Sequence, residues 1–224
     1  MQTERIMEKT VSMPKAALFD FDGVVADTET QYSRFWEEQG RTYHPELEDF
    51  AARIKGTTLK QIFDTYFDGM EQARQTIRQK LTDFERNMPF DYLPGLTRFV
   101  DGLKARGVRT AIVTSSDRIK MEAARKAMPE LERLFDRILT AEDFERSKPD
   151  PDCYVKAARA LDTPPERCLV FEDSKAGLQA GRAAGMTVVG LATTLPSDVV
   201  SPMADLVAPD FRQLDADVLL KRIV

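Results

Sequence analysis

Two short acidic runs carry the strongest chemical signal in this chain: Asp20-Phe21-Asp22-Gly23 and Glu172-Asp173. Between them lie a hydroxyl run, Thr114-Ser115-Ser116, and a lysine set in Ser147-Lys148-Pro149-Asp150. Carboxylates that converge repel one another, so such a set asks for a cation, and hard oxygen donors with room for a phosphate point to Mg²⁺. Together they could move a phosphoryl group. The metal's charge lets a carboxylate approach an anionic phosphorus, and aspartate is a competent nucleophile that forms an acyl phosphate. A second acid two residues on can give a proton to the departing alkoxide and later take one from water. Asp20 and Asp22 have that spacing. Lys148 would balance the remaining oxygen charge, while the Thr114 hydroxyl and the groups of Ser115 and Ser116 would hydrogen-bond the phosphate.

For these residues to meet, the elements that carry them must end at one edge. Ala16-Ala17-Leu18-Phe19 reads as a short buried strand that breaks into a loop at its acidic end. A helix over Leu96 to Arg106, closed by Gly107, precedes a strand over Val108 to Val113, and a helix over Arg118 to Met128 precedes a strand over Arg137 to Thr140. Pro151 opens a helix to Leu161, and Arg167 to Phe171 reads as the next strand. The helix Lys175 to Ala184, strands Thr187 to Leu191 and Asp205 to Ala208, and a terminal helix around Phe211 to Ile223 complete the rhythm. Parallel strands need crossover helices, so this alternation predicts an α/β fold with a Rossmann-like, doubly wound parallel sheet core. Ligands collect at the carboxyl ends of the strands in such sheets, where Asp20, Thr114 and Glu172-Asp173 fall.

From Thr28 to about Asn87 the pattern changes. Tyr32, Phe35 and Trp36, then Leu59, Ile62, Phe63, Tyr66 and Phe67, recur at helical spacing, which predicts a small helical unit with the first three aromatics in its core. A chain of 224 residues suits one sizeable core plus such an insertion. With a formal net charge of −5, it would be repelled by a phosphate backbone, which argues against a nucleic-acid partner. No stretch resembles a secretory leader or reaches transmembrane length, so a cytoplasmic, membrane-free monomer acting on a small phosphorylated substrate is expected. Cys153 and Cys168 lack the spacing of a zinc site or a disulfide framework.

The ordered set Asp20-Phe21-Asp22-Gly23-Val24, Thr114, Lys148 and Glu172-Asp173 resembles the four motifs of the haloacid dehalogenase superfamily. Asp27-Thr28-Glu29, Ser147-Lys148-Pro149-Asp150-Pro151 and Phe171-Glu172-Asp173-Ser174 through Gly185-Met186 look like its β-phosphoglucomutase and phosphoglycolate phosphatase branch. The resemblance implies Asp20 as nucleophile and metal ligand, and Asp22 as acid/base with its backbone carbonyl on Mg²⁺. It makes Thr114 and Lys148 phosphate ligands, with Lys148 also steadying Asp20. Asp173 becomes a direct metal ligand and Glu172 a direct or water-mediated one. It also implies a helical cap over residues 28–91 inserted into a core of residues 1–27 and 92–224, with Asp91-Tyr92-Leu93-Pro94-Gly95 as the return hinge.

Mutase relatives place a cap arginine three residues beyond a Lys-Gly pair; here Lys55-Gly56 is followed by Leu59 in that place, and Tyr32 replaces a histidine that follows the first motif. A mutase must hold a bisphosphate, so these departures favour a phosphatase acting on a phosphosugar or phosphoglycolate-like metabolite over a phosphosugar mutase. A silent phosphate-binding regulator is the remaining alternative. Arg53, Lys55 and Lys60 could still face the substrate with positive charge.

Bland readings compete with each of these signals. Asp-x-Asp-Gly is not a calcium loop of the EF-hand type, because Gly23 is the fourth residue counted from Asp20 and not the sixth. Gly177, Gly181 and Gly185 fit neither G-x-G-x-x-G nor a P-loop and read as a close helix–sheet contact with a terminal cap. His44, the single histidine, has no G-x-S-x-G partner and reads as an exposed loop residue.

Overall fold

The computed structural model describes residues 13–55, 57 and 59–222. Strands β1 (Ala16–Phe19), β2 (Arg109–Val113), β3 (Arg137–Leu139), β4 (Cys168–Glu172), β5 (Thr187–Leu191) and β6 (Leu206–Ala208) form one sheet in the order β3-β2-β1-β4-β5-β6. Every neighbouring pair is parallel. Such a sheet needs cover on both faces, and the alternation of side chains along each strand supplies two apolar surfaces. Ala17 and Phe19 of β1 join Ile112, Phe171 and Val189 on one face, against α5 (Leu96–Lys104), α6 (Arg118–Ala127), α7 (Leu131–Leu134) and α11 (Ala216–Arg222). Ala16 and Leu18 join Ala111, Val113, Val170 and Val188 on the other, against α8 (Asp152–Ala160), α9 (Lys175–Ala183) and α10 (Ser197–Val200). This is a Rossmann-like core with β1 and β4 at its centre. The Phe19 and Phe171 rings stack at 4.5 Å across that central pair, and Asp20 N continues the ladder by donating to Phe171 O at 3.0 Å.

Between β1 and α5 stand α1 (Glu29–Tyr43), α2 (Phe50–Ile54), α3 (Leu59–Tyr66) and α4 (Glu71–Asn87). Phe35, Trp36, Phe50, Ile62, Phe63 and Phe67 build a separate apolar cluster among them, so the unit has its own core. Two paired connections hang it from the sheet: Asp27 N donates to Asp91 O at 2.9 Å and Leu93 N to Val25 O at 3.0 Å. Just before them the chain turns tightly, with Phe21 O accepting from both Val25 N and Ala26 N at 2.9 Å.

The structure amends the sequence expectations at several points. His44 is not an exposed loop residue. Its ring stacks on Phe50 at 5.7 Å and meets Phe67 edge-on, because the last turn of α1 feeds directly into the aromatic cluster. The expected terminal helix divides: Phe211–Gln213 is a 3₁₀ turn closed by Asp210, whose Oδ1 accepts from Arg212 N at 2.8 Å. Asp215 then starts α11 afresh by accepting from Val218 N at 3.0 Å, as N-capping acids do; Ile223 lies outside the described residues. Pro151 flanks α8 as its N-cap residue and does not occupy its first turn. Cys153 and Cys168 are buried free thiols. Among the described residues no helix is long and apolar enough to cross a membrane.

Candidate active site

The parallel register brings the ends of β1, β2 and β4 side by side, and each ends in a polar residue that the sheet cannot absorb. Asp20 follows β1, Thr114 follows β2, Glu172 is the last residue of β4 and Asp173 follows it. All four are buried. One carboxylate oxygen from each of Asp20, Glu172 and Asp173 lies within 4.8 Å of the others. Lys148 reaches them from the loop before α8: its Nζ donates to Asp20 Oδ1 at 2.7 Å, Glu172 Oε1 at 2.6 Å and Val113 O at 3.1 Å.

Glu172 is the most fully bonded of the acids. Tyr154 Oη also donates to its Oε1 at 2.7 Å, while Oε2 accepts from the amides of Asp173 and Ser174 and from Ser174 Oγ at 3.1 to 3.3 Å. Ser174 Oγ in turn accepts from Gly177 N at 3.0 Å and caps α9. Gly177 is required by this packing, since a Cβ there would sit 1.7 Å from Glu172 Oε1. Asp173 is held differently, with Oδ2 accepting from Thr193 Oγ1 at 3.4 Å and from Thr194 Oγ1. Gly23 passes against the same oxygen with φ +74°, and a Cβ there would lie 2.0 Å from it.

The side-chain hydrogen bonds of Asp20 thus fall on Oδ1 and those of Asp173 on Oδ2, whereas both oxygens of Glu172 are engaged. Three buried carboxylates face one ammonium, and that excess of negative charge in a dry crevice fits a hard divalent cation held through Asp20 and Asp173. Burial pushes the Asp20 carboxyl up to about 7 against the pull of Lys148, with Glu172 and Asp22 adding repulsion. Burial, then the Glu172 and Asp20 charges, also raise Asp173 well above the usual carboxylate range. Lys148 is raised as well, in its case toward the charged form. Burial would lower it, but Asp20 and Glu172 hold it above the usual lysine range.

Asp22 stands apart from this cluster. Its Oδ1 accepts from Lys120 Nζ at 2.7 Å and its Oδ2 from Ser116 Oγ at 2.8 Å. Burial opposes its charge, yet Lys120, then Thr28 and Ser116, outweigh that and hold it below the usual carboxylate range. Thr114 Oγ1 accepts from Ser116 N at 3.0 Å and so shapes the turn that presents Ser116.

Two cavities open on Asp20. One of about 620 Å³ is lined by Asp22, Thr114, Ser115, Ser116, Lys120 and Lys148. The other, of about 380 Å³, lies between the strand ends and the helical unit, which lines it with Trp36, Ile54, Leu59 and Ile62 together with Glu29, Lys55 and Glu85.

Comparison with known proteins identifies the family. Residues 14–185 match the family model of a haloacid dehalogenase-like hydrolase. The chain belongs to that family. The β-phosphoglucomutase of Bacillus subtilis is 30% identical over 200 residues, covering 81% of this chain and 85% of its own. Hexitol phosphatase A of Escherichia coli is 30% identical over 191 residues, covering 82% and 85%. The crystal structure of a haloacid dehalogenase hydrolase, family IA, variant 3, from Entamoeba histolytica superposes with a TM-score of 0.79 at 24% identity, covering 93% of this chain and 99% of that one; it shares the fold.

Within this haloacid dehalogenase-like frame, Asp20, Asp22, Thr114, Ser115, Ser116, Lys148, Glu172 and Asp173 gather at one sheet edge. The cationic residues of the helical unit divide. Lys55 lines the smaller cavity, where its Nζ pairs with Glu29 at 3.4 Å. Arg53 and Lys60 do not line either cavity: Arg53 Nε donates to Glu48 O at 2.9 Å, and Lys60 pairs with Asp64 at 2.6 Å in solvent. Gly56, the partner of Lys55 in its motif, is outside the described residues.

Sequence reading passed over Lys120, Tyr154, Thr193 and Thr194. Lys120 had a signal, for it is a cation in the first turn of α6, where the helix dipole disfavours positive charge unless an acid lies close. Thr193 and Thr194 follow β5 and were legible as strand-end residues. Tyr154 had none beyond being aromatic on a helix.

Proposed function

We propose that this chain is a Mg²⁺-dependent phosphatase that hydrolyses a small phosphorylated polyol or sugar through a phosphoryl group carried on Asp20. Residues 28–91 act as its cap and the segments on either side as its catalytic core. The observation that carries the reading is the Lys148 ammonium bridging Asp20 and Glu172, with Asp173 beside them, at the carboxyl ends of the two central strands.

Asp20 attacks phosphorus through one carboxylate oxygen, and the bond from phosphorus to the ester oxygen breaks. Asp22, ionised in the site as it stands, takes the proton that a phosphate monoester monoanion brings in and gives it to that oxygen as it leaves. In the second half-reaction Asp22 takes a proton from water, whose oxygen attacks the aspartyl phosphate and releases inorganic phosphate with Asp20 restored. Thr114, Ser115 and Ser116, which line the larger cavity, hydrogen-bond the phosphoryl oxygens, and Lys148 offsets their charge. Asp20, Asp173 and the backbone carbonyl of Asp22 would hold Mg²⁺, which when bound neutralises the phosphoryl group and aligns it with the nucleophile. Glu172, with both oxygens occupied, orients Lys148 and the turn into α9.

The smaller cavity describes the leaving group. Its apolar wall and its excess of Glu29 and Glu85 over Lys55 suit a hydroxylated, uncharged body and disfavour a carboxylate or a second phosphate. That disfavours phosphoglycolate and leaves no second anion site for a mutase among the described residues, Leu59 being part of the apolar wall. The test is an acid quench during Mg²⁺-supported turnover of ³²P-labelled sugar phosphate, followed by peptide mapping. Label is expected on the peptide holding Asp20 and absent from Asp20→Asn. Phosphate release with no labelled peptide refutes the reading.

A further inference from the structure

Asp22, the acid/base of the proposed reaction, is held by a residue that no motif of the chain contains. Lys120 is buried, with a side chain 6% exposed, in the first turn of α6. Its Nζ makes two hydrogen bonds of 2.7 Å, one to Asp22 Oδ1 on the core and one to Tyr32 Oη on α1. Tyr32 Oη passes the chain on by donating to Glu85 Oε1 of α4 at 2.8 Å. The Tyr32 ring packs against both the sheet core and the aromatic cluster of the cap, and its edge meets Phe84 at 5.6 Å. A continuous line Asp22–Lys120–Tyr32–Glu85 therefore runs from the acid/base to two cap helices that line the leaving-group cavity.

A carboxylate that must serve both an alkoxide and a water has to be fixed in direction. Ser116 on one oxygen and Lys120 on the other do that for Asp22. Ser116 belongs to the core alone, but Lys120 divides its bonds between core and cap. Any shift of α1 or α4 that moves Tyr32 changes how Lys120 can hold Asp22.

We propose that Lys120 is the positioning residue for the acid/base step, orienting the Asp22 carboxylate and making that orientation depend on the seating of the cap through Tyr32 and Glu85. This rests on the reading of Asp22 as acid/base. The consequence is selective: an alkyl ester, whose alkoxide needs a proton, should depend on Lys120, whereas p-nitrophenolate leaves without help.

The experiment compares kcat/KM, which reports the first half-reaction, for glucose 6-phosphate and p-nitrophenyl phosphate in Mg²⁺ with the full chain. Lys120→Met is expected to lower kcat/KM for glucose 6-phosphate about 100-fold, within the span of general acid catalysis, with the loss carried by kcat. The loss on p-nitrophenyl phosphate should be at least about tenfold smaller by the same reasoning. Lys120→Arg, which keeps the charge and donors, should recover part of the loss. Tyr32→Phe keeps the packing and removes the hydroxyl; it should show the same selectivity at about fivefold, the size of one hydrogen bond. If Lys120→Met does not fold, Tyr32→Phe and Lys120→Arg decide. Equal losses on the two esters, or a change confined to KM, overturn the proposal. An Asp22→Asn protein that hydrolyses glucose 6-phosphate normally sinks the acid/base reading itself, which separates that failure from a failure of Lys120 alone.

Discussion

Removing the proposed nucleophile should make the metal-free protein more stable, although it abolishes turnover. Asp20 is buried among Glu172, Asp173 and Asp22, and its carboxyl is displaced from an ordinary 3.8 to about 7. Because the folded-state value is the higher one, the sign is fixed. Below pH 3.8 both states carry the proton and the site costs nothing; from there to about 7 the unfolded chain ionises first and stability falls; above about 7 the loss is complete. At 1.36 kcal/mol for each pKa unit, the displacement corresponds to a ceiling of about 4 kcal/mol, and relaxation of Lys148 and entry of water reduce it to about 2 kcal/mol. Asp20→Asn carries no charge to repel. In urea denaturation with a chelator at pH 8, it should exceed the wild-type protein by about 2 kcal/mol, and the difference should shrink toward zero near pH 4. Saturating Mg²⁺ should close the gap by stabilising the wild type through binding. A variant less stable than wild type at pH 8, with a difference that ignores pH, refutes the view that unbalanced carboxylate charge is what this crevice stores.

Other perturbations separate packing from chemistry. Tyr154→Phe removes a buried hydroxyl from Glu172 Oε1 and should cost about 1.5 to 3 kcal/mol in denaturant unfolding. Gly177→Ala drives a methyl group into Glu172, and should cost about 3 kcal/mol or prevent folding, as judged by urea midpoint and soluble yield. Lys55→Ala breaks a partly exposed pair with Glu29 and should leave the midpoint within about 0.5 kcal/mol, while KM for a sugar phosphate changes more than KM for p-nitrophenyl phosphate. A chelator should stop phosphate release, and added Mg²⁺ should restore it; full activity after exhaustive chelation refutes the metal's role.

The half of the site proposed to handle phosphate was legible because its residues sit where backbone geometry alone puts them. Any residue just past a central parallel strand lands at the same edge, so Asp20, Thr114 and Glu172-Asp173 could be read from strand pattern and residue type. Lys148 could be read as their counter-charge. What could not be read depends on side-chain reach and on how one helix rolls against the next. Arg53 and Lys55 are two residues apart, yet one turns to Glu48 and the other to the cavity. Tyr154 and Lys120 meet Glu172 and Asp22 across 18 and 98 residues of chain. His44 misled for a related reason, since a polar residue beside a proline looks solvent-facing until Phe50 and Phe67 close around it.

The two halves of the site are also built of different material. The phosphate half is anchored on the sheet: Asp20, Thr114, Glu172 and Asp173 are all buried, and three strands fix their spacing. The leaving-group half is borrowed from four helices with a separate apolar cluster. Substitutions on the cavity face of those helices can therefore alter which alcohol is accepted without disturbing Asp20 or Lys148. Such freedom carries a cost at the junction, because the proposed acid/base must act on an oxygen that belongs to the alcohol. A link from Asp22 into the cap resolves this, and Lys120 with Tyr32 and Glu85 is where the structure provides one. On the proposed reading, specificity and proton transfer are thereby joined at a lysine, while phosphoryl transfer stays with the strand ends.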